Sequence, residues 1–222
     1  TLGYKMQVTI LDYGLGNIYS VAKAFESVGA SVLIADTAER VVDANRLVLP
    51  GVGSFPQGMK NINEKEMKKS IEVFVQKGRP LLGICLGMQM LFSVGEEFES
   101  TRGLNFIKGH IRGIKDKPTV CNGSNLRLPH IGWNILSMKN GGLPWEKSLL
   151  RGFQPDNATK RVYFLHSYKA IADNENEILA VCYYGDVEIV AAIQKENILG
   201  CQFHPEKSGP AGLEILANFL RI

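Results

Sequence analysis

The stretch from Pro80 to Gln89 reads Pro-Leu-Leu-Gly-Ile-Cys-Leu-Gly-Met-Gln and decides the fold class. Its first half is short and apolar, as expected of a buried strand, and a helix is expected to open at Met88–Phe92. Glycines stand two residues before and two residues after Cys85. They allow the chain to turn sharply from strand to helix. The stretch therefore predicts a strand–turn–helix unit that lifts the Cys85 sulfur above the edge of a sheet.

Strands and helices alternate along the first half of the chain. β-Branched and apolar runs predict strands at 7–11, 31–35, 46–49 and 80–84. Helical spacing of apolar residues predicts helices at 18–28 and 67–75, which end at Gly29 and Gly78. This alternation is typical of an α/β fold with a parallel sheet and crossover helices.

The second half of the chain is richer in strands. They are predicted in close succession at 161–168, 178–183, 187–194 and 198–203, before a final helix at 210–220. Such spacing indicates antiparallel hairpins added to the sheet. No repeat or linker divides the chain, so we expect one domain over 6–222. Met6 looks like a natural start, and Thr1–Lys5 are expected not to belong to the natural protein.

The composition excludes several classes of function. Hydrophobic residues make up 45% and charged residues 21%, an ordinary balance for one large globular core. The formal net charge is +3 and no run of five basic residues occurs, so we expect neither nucleic-acid nor membrane binding. The chain shows no signal-peptide pattern, and the uncharged stretch 80–94 is too short and glycine-rich to span a bilayer. These features predict a cytoplasmic protein.

Cys85 is the candidate nucleophile among four cysteines. At a helix N-terminus the dipole favours a thiolate, and the Leu86 N–H that follows can point at an oxyanion. A buried core thiol is the alternative, which the flanking glycines make less attractive. Cys121, in an expected loop, and Cys182 and Cys201, in expected strands, have no such setting. No pair has C-x-x-C spacing, so all four are predicted to be reduced thiols.

A cysteine nucleophile needs a base, and His204 is the candidate. It follows the strand expected at 198–203, so it lies at the sheet edge where α/β active sites form. Glu206, two residues on, can accept a hydrogen bond from one ring nitrogen while the other faces the thiol. A structural histidine is the alternative here, and is preferred for His110. Zinc is disfavoured because no paired C-x-x-C or H-x-x-x-H spacing occurs.

Together these residues resemble the triad-type (class I) glutamine amidotransferases. The signatures are Gly83-Ile-Cys-Leu-Gly87 and the late His204-Pro-Glu206. From Met6 onward the chain resembles more closely the glutaminase subunits of imidazole glycerol phosphate synthase. The strings that carry this likeness are Asp12-Tyr-Gly-Leu-Gly-Asn17, Leu49-Pro-Gly-Val-Gly53, Pro129-His-Ile-Gly-Trp-Asn134, Tyr163-Phe-Leu-His-Ser-Tyr168 and Gln202-Phe-His-Pro-Glu-Lys-Ser208.

The resemblance implies a three-layer, flavodoxin-like α/β fold and a role for each matching residue. Cys85, His204 and Glu206 would form the catalytic triad, and Gly53 and Leu86 would supply the oxyanion hole. Residues implied to hold L-glutamine are Gly51, Gln89, Glu97, Ser167 and Tyr168. Residues implied at a partner interface are Asn17, Trp133, Tyr163 and Lys207. The implied partner is a (βα)8-barrel cyclase, in a heterodimer of histidine biosynthesis that receives ammonia, and no cofactor or metal is implied.

Three other functions stay open at this point. A paralogous amidotransferase would feed ammonia to a different synthase, for example one that makes amino sugars. A cysteine hydrolase with the same kind of sheet would act on another amide or peptide without a partner. A non-enzymatic binding subunit would not need an intact triad. The chain has no Gly-rich phosphate loop, because Gly14-Leu-Gly16 lacks the third glycine of a dinucleotide fingerprint, which fits a chain that only makes ammonia.

Overall fold

A computed structural model describes residues 5–114, 120–121, 124–139 and 142–222. The strands are β1 Gln7–Leu11, β2 Ser31–Ala35, β3 Leu47–Leu49, β4 Leu81–Ile84, β5 Phe92–Gly95, β6 Thr101–Arg102, β7 Ile107–Gly113, β8 Val120–Cys121, β9 Ser124–Asn125, β10 His130–Asn134, β11 Val162–His166, β12 Tyr168–Ala172, β13 Ile178–Tyr184, β14 Val187–Lys195 and β15 Ile198–Cys201. The helices are α1 Ile18–Ser27, α2 Ala38–Asp43, α3 Phe55–Glu64, α4 Met67–Gln76, α5 Leu86–Met90 and α6 Gly209–Leu220. Short 3-10 turns lie at Trp145–Lys147, Glu175–Glu177 and Pro205–Lys207.

A seven-stranded sheet forms the centre of the molecule, in the order β13-β14-β15-β4-β3-β1-β2. The five strands from β15 to β2 are parallel, and β14 and β13 continue the sheet antiparallel. Strands β3 and β4 are buried along their whole length because helices cover both faces, which explains their uninterrupted apolar sequences. The predicted α/β class, with a mostly parallel sheet and antiparallel C-terminal strands, is confirmed.

Two apolar cores lie on opposite faces of the central sheet and make the fold three-layered. On one face, α1 and α6 pack through side chains such as Phe25 and Phe219, whose ring centroids are 6.0 Å apart. On the other face, α2, α3 and α4 contribute Val41, Met59 and Phe74. Among the described residues, no helix is both long enough and apolar enough to cross a membrane.

Several sequence predictions about individual elements are wrong. The helix after Cys85 ends at Met90, and Phe92 starts strand β5 because it is fully buried and pairs with Ile107 of a second sheet. Helices α2 and α3 were not predicted. Residue Cys121 lies in the short strand β8, not in a loop. Residues 1–4 of the expected non-native leader lie outside the described part of the chain.

The strand predicted at 161–168 is in fact two strands, and neither joins the central sheet. Strand β11 pairs antiparallel with β10, whereas β12 pairs antiparallel with β7. The break falls at Ser167, whose carbonyl accepts a hydrogen bond of 3.0 Å from the Ile114 N–H. This break matters because Ser167 lies in the cleft described next.

Candidate active site

The candidate site lies at the carboxyl edge of the parallel strands. Loops that follow β1, β3, β4 and β15 all emerge at this edge, because the strands run in the same direction. The loops after β3 and β15 bring the segments 50–54 and 202–206 to Cys85, and the loop after β1 places Tyr13 against Pro50. One further segment, at 165–168, closes the cleft from the β11–β12 side.

The chain turns from β4 into α5 through a strained conformation at Cys85, with φ 53° and ψ −109°. A non-glycine residue in such a region costs about 1–3 kcal/mol and persists only where its surroundings enforce it. Here the enforcement is steric. A β-carbon at Gly87 would overlap the carbonyl oxygen of Leu49, and one at Gly83 would lie 2.7 Å from the Met88 Cα. Gly87 therefore lets the turn form directly against strand β3, and Gly83 lets helix α5 start close to strand β4.

Cys85 lines the cleft, and the residue is only 6% exposed. The backbone N–H of Cys85 donates to the Cys201 carbonyl at 2.8 Å, which ties the turn to strand β15. The side-chain amide of Gln202 donates to the sulfur at 3.7 Å. The thiol also lies within 3.8 Å of the Leu165 carbonyl oxygen. A polar donor thus faces the sulfur from one side, and it can stabilise negative charge there.

His204 and Glu206 form a buried pair beside this sulfur. The distance between His204 Nδ1 and Glu206 Oε1 is 2.8 Å, and both side chains are only 2% exposed. Burial opposes protonation of the ring, but the polar interactions of the ring with Cys85 and Glu206 outweigh it and raise the pKa of His204 to about 10. The imidazolium is therefore the form present at neutral pH. Within the described structure, His204 Nε2 is buried without a standard hydrogen bond, so it is available to a reacting group.

The His204 backbone is fixed by strand β11. Its N–H donates to the Tyr163 carbonyl at 2.8 Å. The Ser208 hydroxyl donates to the His204 carbonyl at 2.6 Å and accepts the Tyr163 N–H at 2.9 Å. Because Tyr163 is bonded on both sides of this turn, a displacement of β11 would move the histidine.

The cleft has a volume of about 230 Å³. That is smaller than the roughly 300–1,000 Å³ typical for drug-sized ligands and suits a ligand the size of an amino acid. Its lining residues are Val52, Gly53, Cys85, Leu86, Gln89, Glu97, Leu165, His166, Ser167, Tyr168 and His204. A larger cavity of about 530 Å³ lies against strand β2, but none of the described residues that line it is a cysteine or a histidine. We therefore place the candidate site in the smaller cleft.

The loop between β3 and α3 forms one wall of this cleft. Tyr13, fully buried, donates its hydroxyl to the Pro50 carbonyl at 2.7 Å and so fixes the start of the loop. Gly53 has φ +111°, and a β-carbon there would meet only the Leu15 methyl groups, at 3.9 Å and 4.0 Å. In the described part of the chain, nothing accepts a hydrogen bond from the Val52 or Gly53 N–H. Backbone donors at the cleft wall are thus available to an anion.

Comparisons with known proteins agree with this geometry. The profile of the family described as "Glutamine amidotransferase class-I" matches residues 9–222. Imidazole glycerol phosphate synthase subunit HisH 1 of Legionella pneumophila (strain Lens) is 44% identical over 215 residues, which cover 97% of this chain and 99% of that protein. The chain belongs to the class-I glutamine amidotransferase family, among the HisH subunits of imidazole glycerol phosphate synthase.

Two further comparisons support the same family and fold. The HisH subunit of Bacillus subtilis (strain 168) is 40% identical over 215 residues, which cover 97% of this chain and 96% of that protein. The structure of PurLQS from Thermotoga maritima superposes with a TM-score of 0.72 at 16% identity and covers 98% of each chain. At that identity the structural match shows the amidotransferase fold alone.

The structure gathers most of the glutamine-binding residues expected for a HisH subunit around the cleft. Glu97 lines the cleft together with Ser167 and Tyr168. Burial raises the pKa of Glu97, although its carboxylate accepts a hydrogen bond of 2.8 Å from the Phe55 N–H. Gln89 also lines the cleft, but its Nε2 already donates to Gln202 and Tyr168, which leaves its Oε1 for a substrate.

Gly51 alone among these glutamine-binding predictions does not line the amidotransferase cleft. It packs behind the wall, where a β-carbon would lie 2.7 Å from the Leu86 Cβ and 2.8 Å from the Tyr13 hydroxyl. Because Gly51 has no side chain, the loop can pack closely against the turn that carries Cys85.

Three of the four interface residues expected for a HisH subunit cluster beside the His204 turn. Trp133 is 52% exposed and packs edge-on against Tyr163, with ring centroids 5.8 Å apart. Lys207 is exposed on the turn that follows His204. Asn17 caps helix α1, where its Oδ1 accepts the Ser20 N–H at 3.1 Å. Their contact with a partner stays a prediction.

Four amidotransferase residues for which the sequence predicts no role lie in or next to the cleft. They are Tyr13, His130, His166 and Gln202. All four fall inside strings already quoted for the resemblance, yet their contacts join strands far apart in sequence. Over the ranges that the structure describes, no cluster of three or more His, Cys, Asp or Glu side chains is arranged to hold a metal ion.

Proposed function

We propose that this chain hydrolyses L-glutamine to L-glutamate and ammonia through Cys85, His204 and Glu206. The observation that carries the proposal is the strained Cys85 turn facing the buried His204–Glu206 pair in one small cleft. The arrangement has a nucleophile, a proton carrier and a residue that orients the proton carrier, which are the parts that acyl transfer requires.

The reaction runs in two halves. The Cys85 thiolate attacks the side-chain carbonyl carbon of glutamine, and the carbonyl oxygen becomes an oxyanion. When the C–N bond breaks, the His204 imidazolium gives its proton to the leaving nitrogen, so ammonia departs and a γ-glutamyl thioester remains. Water then attacks the thioester and gives a proton to His204, which releases glutamate and restores the thiolate. Glu206 holds the ring in the orientation that both proton transfers need.

Backbone N–H groups of Gly53 and Leu86 are the proposed donors to the oxyanion. Both residues line the cleft around Cys85. Removal of one oxyanion donor typically costs about 10²–10³ in rate. Gly53 has no side chain to oppose rotation of its peptide, and a peptide rotated away from the oxyanion would hold the enzyme in a weakly active state.

Ammonia must reach an acceptor before water protonates it, so we propose a partner seated next to the cleft. The relatives are named as subunits of imidazole glycerol phosphate synthase. The proposed partner is therefore the (βα)8-barrel cyclase subunit, which would convert the channelled ammonia into imidazole glycerol phosphate and aminoimidazole carboxamide ribotide in cytoplasmic histidine biosynthesis. Exposed Trp133 and Lys207, near His204, are the proposed contact surface together with Tyr163 and Asn17.

Partner binding is expected to activate glutamine hydrolysis. The isolated chain should be a weak glutaminase, because hydrolysis without an acceptor wastes glutamine. The cyclase with its nucleotide acceptor or an analogue should raise turnover by about 10²–10³, the value of one oxyanion donor. Docking would shift the 50–53 loop through contacts that favour its active state. A coupled glutamate assay with and without the cyclase measures the ratio.

Lys207→Ala tests the proposed contact surface in the same assay. The side chain is exposed and has no ion-pair partner in the described structure, so its loss should weaken the response to the cyclase while the melting temperature stays near wild type. Lys60→Ala, which removes another exposed lysine that is not part of the proposed contact surface, serves as the control. Equal turnover with and without the cyclase would refute the coupling, and stimulation only by a different synthase would favour the paralogous amidotransferase.

A further inference from the structure

Two buried histidines connect the β10–β11 ribbon to the cleft. His130 and His166 lie opposite each other in the antiparallel pair and are 3% and 6% exposed. His130 Nδ1 lies 3.0 Å from His166 Nε2, and His166 Nδ1 lies 2.7 Å from the Tyr168 carbonyl oxygen. The chemistry proposed above uses neither ring, although His166 lines the cleft.

Hydrogen-bond chemistry determines where the protons lie in this pair. A carbonyl oxygen only accepts, so His166 Nδ1 must carry a hydrogen. In a neutral ring, His166 Nε2 is then an acceptor, and the hydrogen between the rings belongs to His130 Nδ1. Burial lowers the pKa of His130 to about 4 and is also the main cause that lowers the pKa of His166 to about 3, so both rings are neutral at pH 7.

The surrounding side chains prevent His130 from leaving this arrangement. Its ring is stacked between Phe164 and Tyr184, with centroids 4.8 Å and 4.1 Å away and interplanar angles of 17° and 21°. Tyr184 is itself held by a hydrogen bond of 2.7 Å from its hydroxyl to the Arg127 carbonyl. Stacking fixes the plane of the His130 ring, and within that plane the hydrogen bond to His166 favours the orientation that presents Nδ1.

The far end of this chain of hydrogen bonds reaches the cleft. The Tyr168 carbonyl accepts from His166 and also from Gln89 Nε2 at 3.3 Å. Gln89 donates in turn to Gln202 Oε1 at 3.0 Å, and Gln202 donates to the Cys85 sulfur at 3.7 Å. His166 therefore shares one acceptor with a side chain that lines the cleft, and it fixes the orientation of the Tyr168 peptide.

We propose that His166 and His130 are positioning residues for glutamine. His130 imposes the Nδ1–H form of His166, and His166 then holds the Tyr168 carbonyl so that Ser167, Tyr168 and Gln89 present one fixed surface to the amino-acid end of the substrate. This inference rests on the proposed glutaminase function. The other His166 form would bring two lone pairs face to face at the Tyr168 carbonyl, which would displace this wall of the cleft.

Three variants, assayed in the complex with the cyclase, test this role. His166→Leu removes both hydrogen bonds and should raise the KM for glutamine about tenfold, a loss of about 1.4 kcal/mol, while kcat changes by less than about threefold. His166→Asn can place an amide N–H near the Nδ1 position and should recover most of the affinity. His130→Phe keeps the ring stack but removes the donor, and should raise KM by a smaller factor.

A spectroscopic measurement tests the same inference without any activity. In protein labelled with ¹⁵N-histidine, His166 should show a protonated Nδ1 and a bare Nε2 at pH 7, and this pattern should weaken in His130→Phe. A protonated His166 Nε2 would overturn the proposal. So would an equal KM for His166→Asn and His166→Leu, or a His166→Leu variant in which only kcat changes. If the wild-type protein had no glutaminase activity, the proposed function itself would be refuted. If a variant did not fold, the His166 tautomer measured in the wild-type protein would still test the inference.

Discussion

Cys85→Ala is expected to abolish glutamine hydrolysis. The substitution removes a single heavy atom, the sulfur. Loss of the nucleophile from a catalytic triad nevertheless lowers turnover by a factor on the order of 10⁶. Cys85→Ser should be equally inactive, because a hydroxyl is far less acidic than a thiol and the surrounding groups are arranged for a larger sulfur atom. The measurement is glutamate release in the presence of the cyclase, with the melting temperature recorded alongside.

The other cysteines provide the controls for this loss. Cys121→Ala should keep activity near wild type, because β8 is not part of the cleft. Cys182 is fully buried, and burial raises the pKa of its thiol far above the usual range. Cys182→Ala should therefore affect stability more than turnover. Full activity of Cys85→Ala would remove the basis of the whole account.

His204→Ala is expected to reduce turnover by about 10²–10⁴, the usual contribution of general acid–base catalysis. Without the imidazolium, the proton carrier that lies beside Cys85 and would protonate the departing ammonia is lost. Glu206→Gln should reduce turnover less, because the imidazole is still present and only its orientation and positive charge lose support. Both variants should keep the fold, which far-UV circular dichroism would check.

His110 offers a matched control for the histidine variant. His110 lies on strand β7 and its side chain is 43% exposed. Its Nδ1 is 3.2 Å from Glu96 Oε1, and His110 is not among the residues that line the cleft. His110→Ala should therefore keep turnover within about twofold of wild type, as surface substitutions usually do. A Glu206→Gln variant more impaired than His204→Ala would contradict the assigned roles.

Local patterns explain why the nucleophile turn and the His204–Glu206 pair could be predicted from the sequence. The strand, the glycines and Cys85 lie within ten consecutive residues, and the contacts that require glycine are with helix α5 at Gly83 and with strand β3 at Gly87. His204 and Glu206 are two residues apart, so their hydrogen bond needs no distant pairing. The resemblance added the residues of the cleft wall, most of which the structure brings to one place.

Long-range pairings explain what the sequence could not show. The apolar run after Cys85 continues the helical spacing, but Phe92 is drawn into a second sheet by Ile107. The run 161–168 is uniformly strand-like, and only its two different partners, β10 and β7, reveal the break at Ser167. The same pairing of β10 with β11 places His130 against His166, which no local pattern indicates.

Covalent labelling is the most direct test of the central claim that Cys85 attacks the side-chain amide of glutamine. The protein, in complex with the cyclase, would be incubated with a glutamine analogue that carries an electrophilic carbon at the amide position, and then digested and analysed by mass spectrometry. We predict one added mass, on the peptide that contains Cys85, with protection by excess glutamine and no label in Cys85→Ala. Label on Cys121, Cys182 or Cys201 instead, or unchanged labelling of Cys85→Ala, would contradict the account.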